Sequence, residues 1–421
     1  MSGALAVDPE RVIADLRELA AASGGEHAGA KRLAWSPDWT AAREWLLGKL
    51  GAIDGLSVER DEAGNLWATL PGDGAADGFV IVGSHIDAVP SGGWLDGCLG
   101  LLTALEVVRT LAAADAPPPV TVKLVDWADE EGARFGRSLV GSSAVAGTLD
   151  PDDVRGLLDA DGVTLQDAMA SVGVDLDGAS AATSRLDGAR AYLELHIEQG
   201  PVLLDTGRLA SAVSGTVGDE RYLITFTGQS AHAGSTPMHL RRDTLAAAAT
   251  AALEIREVGI RHGGVTTVGA ITSKPAVITA IAGESEMMLD LRHLDAGMLA
   301  TMLAECLVAC QSAASTFDCG VDARRVFGAT PTPFHPKLVE IATAATGGGP
   351  AIPSGPLHDA TEIGRLVPTV MIFAQSDPPI SHTEVEDSPL DALRVAIAAY
   401  GTTVGETLAL VAAGGLEGVN A

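Results

Sequence analysis

Apolar residues recur at helical spacing over Asp8–Ala22 and again over Ser36–Leu50, while Leu56–Leu70 reads as two short strands around a turn at Glu62–Gly64. Two β-branched apolar runs follow, Phe79–Gly83 and Val120–Val125, with a helical pattern from Gly100 to Ala114 between them. Strand, long helix and strand in that order predict a βαβ unit with parallel strands. Ala191–Leu195 adds a further alternating strand.

From Arg221 to Phe327 the rhythm changes. Strand Tyr222–Thr227, helix Thr244–Val258, strands Val265–Thr272 and Glu286–Arg292, helix Ala296–Ser315 and strand Val321–Phe327 give the order β-α-β-β-α-β. That order is the split βαβ arrangement of a ferredoxin-like domain. Helix Leu338–Thr346, strand Val367–Phe373 and helix Ser388–Ala413 then return to the first architecture. The pattern predicts an α/β protein with a discontinuous main domain, residues 1–214 and 329–421, built on a mixed sheet flanked by helices. An inserted βαββαβ domain occupies residues 215–328. Ser214–Gly218 and Gly328–Pro333, rich in Gly, Pro, Ser and Thr, are the expected connections and a candidate hinge.

Composition supports two cores: the chain has 421 residues, 47% of them hydrophobic and only 19% charged. Against 55 acidic residues stand 27 Lys and Arg, a formal charge of -28 that repels nucleic acid and anionic membranes alike. Cys98, Cys306, Cys310 and Cys319 lack the paired short spacings of a zinc ribbon or a disulfide framework, which fits a reducing compartment. Cys306 and Cys310 read as a buried helix face. Met1–Arg17 lacks the basic head and apolar core of a signal peptide. No uninterrupted apolar run reaches the roughly 18 residues of a membrane span. The expectation is a soluble, cytoplasmic protein.

The candidate chemistry lies at strand ends. His85 follows the run ending at Gly83, and Asp96 stands after Gly93-Trp94-Leu95 at the start of a helix, so both face the crevice where open α/β sheets bind ligands. Asp87 is placed to accept the second ring proton of His85. Asp129-Glu130-Glu131-Gly132 ends the next strand, His196 follows Ala191–Leu195, and His382 follows Val367–Phe373 after a Pro-rich loop. Alone, Asp96 reads as a helix N-cap and the paired acids as an exposed turn. Three histidines and two carboxylates at one topological location instead favour a metal centre. Five N and O ligands, His85, Asp96, Glu131, His196 and His382, exceed what one zinc needs, so two divalent ions bridged by Asp96 are expected, zinc first, with manganese and cobalt as alternatives. Glu130, beside Glu131, is the candidate proton carrier.

Gly83-Ser84-His85-Ile86-Asp87, Asp129-Glu130-Glu131-Gly132-Ala133-Arg134-Phe135, Glu194-Leu195-His196-Ile197-Glu198-Gln199-Gly200-Pro201 and His232-Ala233-Gly234-Ser235-Thr236-Pro237-Met238 together resemble the N-carbamoyl-L-amino acid hydrolase and allantoate amidohydrolase family of dizinc, aminoacylase-like enzymes. The resemblance spans nearly the whole chain. It implies a catalytic metal-binding domain, and an inserted lid that also forms a homodimer interface. It implies that His85, Asp96 and His196 hold one ion, that Asp96 bridges to a second held by Glu131 and His382, and that Glu130 is the acid/base. It also implies that Gln199, Thr279, Arg292 and His358 contact substrate, Arg292 through the substrate carboxylate, and that His232 reaches the partner subunit's site to steady an oxyanion.

The chain departs from the family pattern at Thr279, where Asn is usual, in Ser354-Gly355-Pro356-Leu357-His358-Asp359, where a more Gly-rich version is usual, and at Glu384, a usual Pro. Trp94 and Leu95 are further candidates for reshaping the pocket. The implied activity is hydrolysis of a carbamoyl or ureido C–N bond in a small carboxylate, foremost an N-carbamoyl-L-amino acid. Allantoate amidohydrolysis is the alternative, and an aminoacylase or dipeptidase comes third. A non-catalytic binding protein on the same fold is the reading from a different class, and the complete ligand set argues against it.

Overall fold

The computed structural model describes residues 5–24, 26 and 28–416, so the first four residues of the N-terminal segment lie outside it. The chain forms two compact units, one ending at Gly215 and resuming at Phe334, the other spanning Thr216–Pro333. In the first, strands run side by side in the order Ser57–Arg60, Leu66–Leu70, Thr121–Trp127, Phe79–His85, Ala189–Ile197, Thr369–Ala374 and Ala210–Thr216. The four central strands, from Thr121–Trp127 to Thr369–Ala374, are parallel to one another, and antiparallel strands flank them. The sheet is therefore mixed. Parallel strands end on the same side, which brings the segments after His85, Trp127, Ile197 and Ala374 to one edge.

Local chemistry explains the elements. Asp8 and Ser36 cap the helices Pro9–Ala22 and Pro37–Leu50, each with a proline in its first turn. Phe79–His85 is buried at every position, as a central parallel strand must be. The helix Cys98–Ala112 lies tight on the sheet because Gly100 has no Cβ; one placed there would collide with the carbonyl oxygen of Leu195. Gly83 has the same relation to the Val125 carbonyl.

The second unit has a four-stranded antiparallel sheet in the order Gly320–Ala329, Gly218–Thr227, Glu284–His293 and Val265–Lys274. Helices Thr244–His262 and Ala296–Thr316, capped by Asp243 and Asp295, pack on each other and on the strands. Phe226, Ile255, Met287, Leu291 and Met302 form the core, and Cys306 and Cys310 are buried among them as free thiols.

Three features differ from the sequence reading. Ala210–Thr216 is a buried strand composed largely of small residues, so no β-branched run announces it. The strand reaches into the expected hinge at Ser214–Gly218, where only Val217 separates it from the next strand. Helices Ala296–Thr316 and Leu390–Ala412 are long and apolar enough to cross a membrane by length and composition. Each has its buried residues packed in its own unit, and polar residues, Glu305 and Gln311 in the first and Arg394 and Glu406 in the second, interrupt the apolar runs.

One buried ion pair fixes the sheet edge beneath the chemistry. Asp126 Oδ2 accepts Arg43 Nε at 2.7 Å, its backbone oxygen accepts Arg43 Nη2 at 3.0 Å, and its Oδ1 accepts the Ile86 N–H, next to His85, at 2.9 Å. Replacing one partner of a buried pair leaves the other charge uncompensated, at about 3–5 kcal/mol. All six tryptophans precede Gly215, so intrinsic fluorescence follows the first unit alone. Asp126→Ala is expected to destabilise that unit by about 3–5 kcal/mol in urea unfolding read by tryptophan emission. A loss below about 1 kcal/mol would mean the pair does not hold this edge.

Candidate metal centre

His85 is the last residue of its strand and His196 the penultimate residue of the neighbouring one. Asp96 lies between them, on a loop closed by Gly97 at φ +66°, where an added Cβ would strike the His85 ring. Asp96 Oδ1 is 3.0 Å from His196 Nε2 and 4.0 Å from His85 Nε2. Its Oδ2 is 3.6 Å from His382 Nε2, which is 3.3 Å from Glu131 Oε2. Two groups of three residues that could hold a metal ion result, His85–Asp96–His196 and Asp96–Glu131–His382, each with its donor atoms within 4.8 Å of one another, and Asp96 belongs to both.

The hydrogen bonds fit a metal. His85 Nδ1 is 3.1 Å from the Asp87 carbonyl oxygen and His196 Nδ1 is 2.9 Å from that of Ile197. A carbonyl only accepts, so each Nδ1 carries a proton and the neutral ring has its lone pair on Nε2, the nitrogen that could coordinate; that of His196 meets the Gly97 N–H at 3.3 Å. His85 Nε2 and Glu131 Oε1 are buried without a hydrogen-bond partner, which a native core avoids unless something else occupies the lone pairs. Asp87 thus engages His85 mainly through its backbone; its carboxylate stands 3.7 Å off and instead accepts the Glu130 and Glu131 N–H groups, each at 3.2 Å. Asp87 accepts the His85 ring proton as expected, but with its main-chain oxygen, because its side chain is turned to the acidic turn. That turn begins with Asp129 at φ 57°, held by the Trp35 indole N–H at 2.7 Å, and it brings Glu130 Oε2 to 3.7 Å from His85 Nε2.

The electrostatics ask for cations. Burial, then Asp359 and Glu131, push Glu130 well above the usual carboxylate range, and burial and Asp96 do the same to Glu131. Burial lowers His85 to about 4. Burial opposes charge on His196 too, but its hydrogen bond to Asp96 prevails and raises it to about 9. Burial would likewise raise Asp96, yet the hydrogen bond and charge of His196 hold it below the usual carboxylate range. Among the described residues no Lys or Arg forms an ion pair with Asp96, Glu130 or Glu131. Bound divalent ions would supply the missing positive charge.

The other candidates fall into two groups. In the first unit, Gln199 Nε2 donates to Asp96 Oδ2 at 2.9 Å and to Ser381 Oγ at 3.0 Å. His358, read as a substrate contact, is only 2% exposed. Its ring lies 4.5 Å from that of His196, and its Nε2 is 3.1 Å from Ser354 Oγ. It is as buried as His85 and His196, and its ring packs against that of His196 beside the candidate centre. Trp94 and Leu95 are buried in the hydrophobic core. In the second unit, exposed His232 accepts the Gly234 and Ser235 N–H groups on Nδ1 at 3.1 and 3.2 Å. Thr279 is also exposed, and Arg292 is paired to Asp290 at 2.9 Å. Sequence reasoning missed Ser381 and Glu386, which hold the His382 loop; the only signal was an acid four residues beyond that histidine.

The model for Peptidase family M20/M25/M40 matches residues 81–406. The chain belongs to that family. Its enzymes are metal-dependent, and the resemblance read from the motifs is borne out. Among M20 relatives, the allantoate amidohydrolase of Escherichia coli (strain K12) is 36% identical over 364 residues, 85% of this chain and 88% of that one. The N-carbamoyl-L-amino acid amidohydrolase of Geobacillus stearothermophilus is 34% identical over 385 residues, 90% and 94% of the two chains. The crystal structure of an amidase of the hydantoinase/carbamoylase family from Burkholderia multivorans superposes with a TM-score of 0.85 at 31% identity, covering 97% of this chain and 98% of that one.

Because His196 is raised to about 9, it holds a proton at pH 7 in the metal-free protein, and a ligating nitrogen must lose it. Adding zinc to chelator-stripped protein at pH 7 should release protons, and apparent affinity should climb as pH rises toward 9. Calorimetry in two buffers of different ionisation enthalpy measures the release; uptake of metal with no proton release at pH 7 would contradict the assignment.

Proposed function

We propose that this M20 chain is a dizinc amidohydrolase that cleaves the carbamoyl or ureido C–N bond of a small carboxylate, foremost an N-carbamoyl-L-amino acid, with release of ammonia and carbon dioxide. The observation that carries the reading is the pair of three-ligand groups sharing Asp96 beside an unligated Glu130. Relatives named for this activity cover about nine-tenths of the chain. Allantoate hydrolysis is the second reading, favoured by the 36% identity to an enzyme of that name. Both substrates are small carboxylates, which suits a cytoplasmic enzyme.

Held by His85, Asp96, His196, Glu131 and His382, the ions would supply Lewis acidity toward a water and the scissile carbonyl. Glu130 takes the proton released by that water and passes it to the leaving nitrogen; its buried, acid-crowded setting raises its affinity for the proton between the two transfers. Asp87 fixes Glu130 by its main chain. The second unit acts as the lid and dimer element. There His232 Nδ1 already accepts two backbone N–H groups, so the neutral ring carries its proton on Nε2 and offers a donor to a developing oxyanion in the partner's site. Arg292 binds the substrate carboxylate, Gln199 and Thr279 add polar contacts, and homodimerisation completes each site.

Ammonia release over a panel of N-carbamoyl-L-amino acids and allantoate, with N-acyl amino acids followed by freed amine, tests the assignment. Turnover of acyl amino acids alone would overturn it. Glu130→Gln should lower kcat by about 10²–10⁴-fold while metal content stays at the wild-type level. Metal loss in that variant, with retention in Glu131→Gln, would exchange the two roles.

His232 in trans has its own signature. Glu130→Gln and His232→Ala chains are each nearly inactive, but a mixed dimer contains one site with both groups intact. Random pairing makes about half the dimers mixed, each with one good site of two, so co-expression should recover about a quarter of wild-type activity. Verified mixed dimers that stay inactive would confine His232 to its own subunit.

A further inference from the structure

Four of the five proposed ligands are held by burial: the side chains of His85, His196, Asp96 and Glu131 are at most 5% exposed. His382 is the exception, with its side chain 53% exposed, so packing does not orient it. Its backbone sits at φ 58°, a left-handed conformation that a non-glycine residue keeps only where its surroundings impose it.

The imposing group is Glu386, a fully buried carboxylate that belongs to neither ligand group. Its Oε2 accepts the His382 backbone N–H at 3.3 Å and the Ser381 hydroxyl proton. With that proton committed, Ser381 Oγ accepts Gln199 Nε2 at 3.0 Å, and the same amide donates to Asp96 Oδ2 at 2.9 Å. The other oxygen, Oε1, fills the space that a Cβ at Gly93 would need, three residues before Asp96. Next door, the Trp94 indole N–H donates to Asp387 Oδ1 at 3.2 Å. Loops 93–96 and 381–387, far apart in sequence, are thereby set in register.

We propose that Glu386 is a positioning residue for the half of the centre formed by Asp96, Glu131 and His382, fixing His382 through its main chain and Asp96 through Ser381 and Gln199. The assignment rests on the two-ion reading above. It concerns metal affinity, so substrate identity does not enter its test.

Full-length wild type, Glu386→Ala, Glu386→Gln and Ser381→Ala, each stripped with chelator, are titrated with zinc by calorimetry, and bound metal is counted after dialysis. Wild type should take up two ions. Glu386→Ala should bind the ion of the Asp96, Glu131 and His382 group about 10- to 100-fold less tightly, the usual effect of losing a group that orients a ligand, with a clearly smaller loss for the other ion, which shares Asp96 but keeps two buried histidines. Glu386→Gln should stay near wild type, because an amide oxygen can accept both hydrogen bonds. Ser381→Ala removes only one link and should weaken the same ion, which keeps the test decisive if Glu386→Ala fails to fold. Equal loss of both ions, no loss in either alanine variant, or a Glu386→Gln protein as weak as Glu386→Ala would overturn the assignment. Wild type binding a single ion would remove the two-ion reading and this one together.

Discussion

Negative charge gathered where water is scarce is the constraint around which the first unit is organised. Asp96, Glu130, Glu131 and Glu386 have side chains almost wholly withdrawn from solvent at the ends of parallel strands, and like charges at short range in a low dielectric repel strongly. Donors nearby relieve only part of this: the Gln199 amide, the Ser381 hydroxyl and the His382 N–H. Glu194 shows the alternative solution within the same sheet. It too is fully buried, but its oxygens accept the Ser84 and Tyr192 hydroxyls and the Ala360 N–H. A carboxylate saturated in that way needs no cation. The acids around Asp96 are left with lone pairs free, and the orphaned His85 Nε2 adds another beside them.

The rigidity needed to hold such a cluster comes from close backbone contact rather than from large side chains. Gly83 and Gly100 let a strand and a helix approach neighbouring carbonyls with no side chain between, and Arg43 ties the end of one central strand to the residue after His85 through Asp126. The ligands inherit their positions from this frame, except His382, which depends on its own loop.

How much of this the sequence discloses varies with the physics of each residue. His85 and His196 are legible because β-branched, alternating runs lead straight into them, and the periodic signal of a buried strand is strong. Asp96 is ambiguous alone and gains meaning only beside the other groups. Glu386 is illegible: in Glu384-Val385-Glu386-Asp387 an acid reads as solvated surface, and only the fold shows that this one points inward. His358 is legible only in part, since a motif gives its neighbours in sequence but not the ring of His196, tilted against its own at 4.5 Å. The strand Ala210–Thr216 escapes notice because small residues carry little β signal, although burial between neighbours forces it to be extended.

The place of Thr369–Ala374 in the sheet carries a consequence for synthesis. This strand pairs in parallel with Ala189–Ile197 on one side and antiparallel with Ala210–Thr216 on the other, so it fills a slot between two strands made long before it. While the chain is still emerging from the ribosome, those two strands wait with facing edges unpaired, and the second unit can be completed in the interval. The centre of the sheet cannot close until Ala374 has cleared the exit tunnel, and so His196 gains its neighbour Phe373 only after the whole second unit has been made.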